Sequence, residues 1–208
     1  MTRQSMDIRT GPSGNYYDKY ASKHPLERLV MANFIANLQR LVANVRVEEI
    51  HEVGCGEGNL SLMLARQGYR TRGSDLSEGV VAQARARGEA EGLPVSFKVA
   101  GIENLTAPED RAELVLCCEV LEHLVDPAAA LDTLKALAAP YLLTSVPREP
   151  LWRILNMARG RYWQDLGNTP GHLQHWSASG FLRMLEKYFT IVEVARPLPW
   201  TMVLCRSK

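Results

Sequence analysis

The sequence predicts an α/β fold in which helices cover both faces of a mostly parallel sheet. Three observations favour this fold. Apolar runs typical of strands alternate with segments of helical spacing from residue 49 to residue 146. The run at 113–118 is apolar almost throughout, as in strands that are buried on both faces. A glycine-rich turn joins the first predicted strand to the next helix, where open α/β sheets bind their ligands.

Local patterns predict each element in turn. Apolar residues at helical spacing predict a long helix within 26–42, which Pro25 is well placed to begin. The first predicted strand ends at Val53. The six others span 69–75, 95–99, 113–118, 141–146, 190–195 and 201–205. The next predicted helix begins at Leu60, and three later ones span 77–91, 128–138 and 177–188. The short join between the last two strands suits an antiparallel pair.

Residues 147–176 show no clear period, and the sequence predicts an irregular segment there. This segment holds three of the four tryptophans, Trp152, Trp163 and Trp176. Long connections are usually functional or disordered, and the aromatic content argues against disorder. We therefore expect an ordered segment that covers a substrate.

Composition limits the classes of function. A chain of 208 residues with 46% hydrophobic and 23% charged residues predicts one globular domain. The net charge of +1 gives no broad footprint for nucleic acid, which is therefore disfavoured as a partner. No apolar run is long enough to span a bilayer, and residues 1–14 lack a signal-peptide core. The four cysteines do not form a disulfide framework, so we expect a cytoplasmic protein. Composition does not indicate an oligomeric state.

The segment Glu52-Val53-Gly54-Cys55-Gly56-Glu57-Gly58 carries the most specific motif. Asn59 stands where a dinucleotide-binding motif requires its third glycine, which disfavours a nicotinamide dehydrogenase. The motif resembles the first motif of the class I S-adenosylmethionine-dependent methyltransferases. This resemblance implies that the cofactor's amino-acid end and ribose contact Glu52, Gly54, Cys55, Gly56 and Gly58. The alternative is a turn that only joins a strand to a helix.

The resemblance also implies a seven-stranded mixed sheet with an antiparallel last strand, a Rossmann-like methyltransferase fold and an N-terminal helical lid. The expected organisation is a tail and cofactor lid at 1–24, with Tyr20 near the cofactor. A single domain follows at 25–208, with 147–176 as its substrate-covering insertion.

Asp75 ends the second predicted strand about 20 residues after the glycine turn, where nucleotide-binding folds place an acid on the ribose hydroxyls. The alternative is a cap on the next helix. The resemblance places Leu76 beside the adenine. Gly101 stands where the family usually has an acid near the adenine amino group. Adenine recognition then falls to the backbone of Ile102 or to a shifted Glu103.

The segment Cys117-Cys118-Glu119-Val120-Leu121-Glu122-His123-Leu124 resembles a motif of methyltransferases that act on small molecules and quinone-type substrates. The resemblance implies that Cys118 and Glu119 lie beside the methionine portion of the cofactor. The spacing of Glu119, Glu122 and His123 predicts that one helical face carries all three.

Three hypotheses compete for the trio of Glu119, Glu122 and His123. The side chains are structural, or one of them accepts a proton from the acceptor, or they bind a divalent metal together with His172 or His175. Metal-dependent RNA 2′-O-methyltransferases have a similar Glu-His turn with a later histidine. The prediction adopted is acid–base catalysis by His123 or Glu122, with no metal.

The predicted function is transfer of a methyl group from S-adenosyl-L-methionine to an O, N or C nucleophile of a small-molecule acceptor. Candidate acceptor-binding residues are His172, His175, Trp163 and Arg148. The alternatives are a metal-dependent RNA 2′-O-methyltransferase and a non-catalytic S-adenosylmethionine-binding protein.

Overall fold

The computed structural model describes residues 25–208, and a seven-stranded sheet forms their centre. The strands are β1 Glu49–Val53, β2 Arg70–Asp75, β3 Val95–Val99, β4 Ala112–Cys118, β5 Ala138–Pro147, β6 Phe189–Ala195 and β7 Trp200–Ser207. Their order is β3-β2-β1-β4-β5-β7-β6, with β1 to β5 parallel and β7 antiparallel to both of its neighbours. The predicted mixed sheet with an antiparallel last strand is confirmed.

Six α-helices accompany these strands in the described part of the chain, of which the first precedes β1 and the others lie between strands. They are α1 Pro25–Ala43, α2 Asn59–Arg66, α3 Glu78–Ala90, α4 Pro127–Leu137, α5 Leu151–Ala158 and α6 Ala178–Leu185. Single 3₁₀ turns lie at Ile102–Asn104, Leu121–His123 and Trp163–Asp165. Two helices begin with side-chain caps. Asp126 accepts hydrogen bonds from two backbone N–H groups of α4, and Ser177 accepts one from Gly180 at the start of α6.

The core lies on both faces of the sheet because successive strand residues point in opposite directions. In β4, Val115 and Cys117 pack with the helices α4 and α6, whereas Leu114 and Leu116 pack with α1 and α2. All of these side chains are fully buried. Helices on two faces of a largely parallel sheet constitute the doubly wound arrangement that the sequence predicts.

The prediction of an irregular segment at 147–176 is wrong in part, because α5 lies within it. The helix begins after Pro150 without a side-chain cap, whereas α6, which has the same length, begins with the Ser177 cap that marks its start in the sequence. The two ends of the segment meet, since the Glu149 N–H donates to the Trp176 carbonyl at 2.9 Å. The segment therefore forms a loop whose two ends are hydrogen-bonded to each other.

All four cysteines are free thiols, as expected. Burial raises the pKa of Cys205 to about 12 and also raises the pKa of Cys117 and Cys118. Within residues 25–208, no helix is both long and apolar enough to cross a membrane.

Candidate active site

The carboxyl ends of the parallel strands bring the predicted cofactor residues to one edge of the sheet. The glycine loop follows β1, Asp75 ends β2, the turn at 101–104 follows β3, and the Glu119–His123 segment follows β4. Residues more than 60 positions apart in the chain therefore meet at this edge.

The glycine loop packs so closely on the segment after β4 that it excludes side chains. Gly54 has φ +76°, and a Cβ there would lie 2.3 Å from Val120 Cγ2. Gly56 has φ +51°, and among residues 25–208, its two chain neighbours apart, no heavy atom lies within 4 Å of the position of its Cβ. The loop therefore has one packed side at Gly54 and one open side at Gly56, where a ligand has room to approach the backbone.

Asp75 is fixed to the glycine loop by its carboxylate. Its Oδ2 accepts a hydrogen bond from the Gly56 N–H at 2.9 Å, and its Oδ1 accepts one from the Ser77 N–H at 2.9 Å. The second contact closes a turn just before α3, whose N-cap is Ser77, so Asp75 does not itself cap the helix. Each carboxylate oxygen has a further lone pair, so this arrangement also leaves capacity to accept bonds from ribose hydroxyls.

Glu52 lies below the same loop and is 4% exposed. Its Oε2 accepts hydrogen bonds from both the backbone N–H and the hydroxyl of Ser61. Burial raises the pKa of Glu52 to about 7, and the nearby Asp75 carboxylate adds to the rise. A cationic group placed beside Glu52 would restore its charge, which fits the predicted contact with an amino group.

A cleft with a volume of about 280 Å³ opens beside the ends of β2 and β3. Its walls are formed by Leu76, Glu78, Val99, Ala100, Gly101 and Asn104. Leu76 lines this cleft, which has room for the adenine that the resemblance places beside Leu76. Two further predicted cofactor residues are half-buried: Ile102 follows β3, and Cys118 ends β4.

Glu119 does not share a helical face with Glu122 and His123, so that prediction is wrong. Glu119 has φ +60°, a strained conformation for a residue with a side chain, and the helical turn begins only at Leu121. Its carboxylate accepts hydrogen bonds from the Ser145 hydroxyl at 3.2 Å and the Trp200 indole N–H at 2.6 Å. These contacts tie the end of β4 to β5 and β7.

Glu122 and His123 instead meet His172, which is distant in sequence. One ligand atom from each of the three side chains lies within 4.8 Å of the others. The Glu122 carbonyl accepts hydrogen bonds from the N–H groups of Leu173 and Gln174, and these bonds hold the loop at 171–174 in place. The His172 ring packs edge-on to that of His123, with centroids 4.9 Å apart. This cluster has the donor atoms for proton transfer and for a divalent cation.

The tautomer of His123 follows from its backbone partner. Its Nδ1 lies 2.9 Å from the Gly171 carbonyl oxygen, which can only accept a hydrogen bond. Nδ1 therefore carries the proton in the neutral ring, and Nε2 carries the lone pair. This arrangement is the one that a general base requires.

A row of aromatic rings extends from the histidine cluster, and the sequence did not predict it as part of the site. Trp152 stacks on His172 with centroids 5.9 Å apart and lies 5.8 Å from Trp200, which contacts Phe34 at 4.9 Å. The Trp152 indole donates a hydrogen bond to Thr169 Oγ1 at 2.9 Å. In the sequence, only the number of tryptophans in 147–176 indicated this row of rings.

The other predicted site residues lie further out. The His175 Nδ1 is 3.8 Å from Glu149 Oε1, near the surface. Trp163 is 63% exposed, and the half-buried Arg148 donates its backbone N–H to the Pro199 carbonyl. Tyr20 and the expected lid at 1–24 lie outside the described residues.

The strand order with its antiparallel seventh strand defines a Rossmann-like methyltransferase fold. A family model described as a methyltransferase domain matches residues 24–194. The chain belongs to this family, and the predicted membership of the class I S-adenosylmethionine-dependent methyltransferases is confirmed.

Two relatives support this assignment. A ubiquinone biosynthesis O-methyltransferase of Xylella fastidiosa (strain 9a5c) is 32% identical and covers 95% of this chain and 84% of that protein. An enzyme of the same name from Coxiella burnetii (strain RSA 331 / Henzerling II) is 31% identical over 154 residues. That match covers 67% of this chain and 65% of the Coxiella protein, so the chain spans just under two thirds of that relative.

The fold resembles that of magnesium protoporphyrin IX methyltransferase from Synechocystis PCC 6803, which was crystallised with bound SAH. The two structures align with a TM-score of 0.69 and 22% sequence identity, and the alignment covers 91% of each chain. At this identity the comparison establishes the shared fold.

Proposed function

We propose that this protein transfers a methyl group from S-adenosyl-L-methionine to a hydroxyl group of a small-molecule acceptor. The observation that carries the proposal is the position of the Glu122–His123–His172 cluster directly after the segment that packs on the glycine loop. The contact of Val120 with Gly54 joins the two parts. A cofactor held by the loop and an acceptor held by the cluster would be neighbours. The names of the Xylella and Coxiella relatives support an oxygen atom as the acceptor.

In this proposal the glycine loop and Asp75 bind the nucleoside, and Glu52 faces the amino group of the methionine portion. When bound, S-adenosylmethionine supplies the methyl group from its sulfonium. Because that group is already strongly electrophilic, positioning of the two reactants provides most of the rate enhancement. The protein's further task is to remove the proton of the acceptor hydroxyl.

His123 is the residue best suited to that task. Its Nε2 lone pair accepts the proton as the oxygen–methyl bond forms, while the Nδ1–H bond to Gly171 holds the ring in place. The buried Glu122 carboxylate beside it favours the imidazolium that results. His172 and Trp152 offer flat rings on which an aromatic acceptor can pack.

The remaining predicted residues complete the proposal. Residues 147–176 cover the acceptor, and the two hydrogen bonds from Leu173 and Gln174 to Glu122 support this role. His175, Trp163 and Arg148 are proposed for the rim of the acceptor site. Four free, largely buried thiols support the cytoplasm as the compartment.

Substitution of His123 by Gln tests the role of the base. We expect kcat with a phenolic acceptor at neutral pH to fall by about 100-fold or more, the range of general-base catalysis. The loss should shrink at a pH above the pKa of the acceptor, where the base is no longer needed. Leu173→Ala is the control, because this side chain lies on the same loop but is 54% exposed. An unchanged pH profile in His123→Gln would contradict the assignment.

A divalent cation is the second mechanism that the geometry of Glu122, His123 and His172 supports. These groups would then hold the ion, and the ion would lower the pKa of an acceptor hydroxyl. Treatment with EDTA followed by added Mg²⁺ or Mn²⁺ distinguishes the mechanisms. Activity that survives EDTA supports the base, and activity that is lost and then restored by the ion supports the metal.

A further inference from the structure

An arginine of the third helix is hydrogen-bonded to the glycine loop. The half-buried Arg87 donates from Nη1 to the Glu57 carbonyl and to Asn59 Oδ1, at 2.9 Å each. Both acceptors belong to the stretch that leads from the loop into α2. Hydrogen bonds from a charged donor are about twice as strong as those between neutral groups. Arg87 therefore holds the end of the loop to α3.

Close packing fixes the two ends of the glycine loop but not its middle. A Cβ at Gly54 would lie 2.3 Å from Val120 Cγ2, and one at Gly58 would lie 2.8 Å from Phe97 Cζ. Between these two positions, Gly56 has open space beside it. Glycine also has the greatest backbone freedom of any residue. The conformation of the middle of the loop therefore depends on polar contacts.

Two charged side chains supply polar contacts to consecutive residues of the loop. Asp75 Oδ2 accepts a hydrogen bond from the Gly56 N–H at 2.9 Å, and Arg87 donates one to the carbonyl of the next residue, Glu57. An acceptor thus meets a backbone donor, and a donor meets a backbone acceptor. Together the two side chains favour a single conformation of the loop at its open side.

We propose that Arg87 is a positioning residue that holds the glycine loop in its binding conformation before the cofactor arrives. This inference rests on the proposed contact of the loop with S-adenosylmethionine. If only a fraction of the molecules had the competent loop, the apparent Kd would rise in inverse proportion to that fraction. The proposal also gives Asn59 a role, because its side-chain oxygen is an acceptor that a glycine at this position would lack.

Calorimetric titration with S-adenosylhomocysteine tests the proposal in Arg87→Met, which keeps an apolar stem but removes the donors. The Kd should rise by about tenfold, because the bonds from a charged donor no longer hold the loop. In the cofactor-free variant, the Gly58 N–H, which donates to the Cys55 carbonyl at 2.9 Å, should exchange its hydrogen faster than in the wild type. Arg87→Lys keeps a charged donor and should recover part of the affinity.

Asn59→Ala tests the same contact from the side of the loop. It removes one of the two acceptors of Arg87 and leaves α3 unchanged. The Kd should rise by about threefold, less than in Arg87→Met, because the Glu57 carbonyl remains as an acceptor. In the Arg87→Met background it should cause no further rise. Fully additive losses in the double variant would contradict a shared contact.

Arg85→Met is the matched control. Arg85 lies on the same helix and also donates to a backbone carbonyl, that of Phe97 in β3 at 3.0 Å, but it does not hold the loop. Its Kd should stay within about twofold of wild type. An unchanged Kd in Arg87→Met, or an equal loss in Arg85→Met, would overturn the role of Arg87 while leaving the cofactor assignment intact. Failure of wild-type protein to bind S-adenosylhomocysteine would overturn both.

Discussion

Glu52 combines deep burial with a position next to the glycine loop, and this combination has a cost in the folded protein. The carboxyl group ionises near its ordinary pKa of 4.5 in the unfolded chain but at about 7 in the folded protein. Between these two values the folded state binds more protons than the unfolded state. The free energy of unfolding therefore falls as pH rises through this window.

Substitution of Glu52 by Gln should remove this pH dependence. At about 1.4 kcal/mol for each pH unit, the wild type should lose roughly 3 kcal/mol between pH 4.5 and 7 relative to the variant. Urea unfolding of both proteins at several pH values measures the difference. Parallel curves across this window would show that Glu52 is solvated in solution.

His51 acts in the opposite direction and was not recognised in the sequence. It is 1% exposed, and its ring bridges the Asp110 carbonyl and the Ser74 hydroxyl. Burial lowers its pKa, so its contribution to stability is lost as pH falls below about 6.5. The comparison of Glu52→Gln with wild type cancels this effect. A lone histidine in a strand gives no indication of partners 23 and 59 residues away.

Asp75 is the residue for which sequence and structure give the most specific binding prediction. Asp75→Ala should weaken the binding of S-adenosylhomocysteine by roughly 10- to 100-fold, because hydrogen bonds from two hydroxyls to a charged group are lost. Calorimetry measures the effect. Asp126→Ala is the control, since it removes a helix cap on α4, costs about 1 kcal/mol of stability and leaves affinity unchanged. Unchanged affinity in Asp75→Ala would refute the ribose contact.

At the scale of elements, the junction between the glycine loop and the segment after β4 depends on the absence of one side chain. Gly54→Ala introduces a methyl group 2.3 Å from Val120 Cγ2 in addition to the cost of a positive φ. Gly68→Ala has a similar backbone cost at φ +94°, without a neighbour within 4 Å among the described residues. We expect Gly54→Ala to be less stable than Gly68→Ala by about 1–3 kcal/mol.

Chemical unfolding of the two variants measures this difference. The additional substitution Val120→Ala removes Cγ2 and should recover part of the loss in Gly54→Ala, which appears as a coupling energy in a double-mutant cycle. Equal stability of the two glycine variants would show that the loop and the Val120 segment separate in solution.

The elements that were predicted correctly are those with a strong local pattern. The buried strand β4, the capped helix α6 and the glycine turn all carry such patterns. The segment at 119–123 does not, because its geometry depends on Glu119, whose partners lie in β5 and β7. The helical spacing of Glu119, Glu122 and His123 therefore predicted a common face. The three side chains do not share one, because Glu119 has a strained backbone conformation and lies before the helical turn.

At the scale of the whole molecule, parallel strands explain why distant motifs form one site. The antiparallel last strand could be anticipated because the resemblance named a fold that has one, whereas the order of the strands was not predicted. The pairing of Glu122 and His123 with His172 rather than His175 could not, since both histidines fit the spacing. Two backbone hydrogen bonds to the Glu122 carbonyl decide between them, and backbone contacts across 50 residues leave no trace in composition or period.

The central claim is that an S-adenosylmethionine-type cofactor lies across the carboxyl ends of β1, β2 and β4. A crystal structure of the protein with S-adenosylhomocysteine tests it most directly. We predict the ribose hydroxyls on Asp75, the adenine in the cleft beside Leu76, and the sulfur facing the cluster of Glu122, His123 and His172. A ligand bound elsewhere, or a sulfur atom directed away from that cluster, would contradict the account.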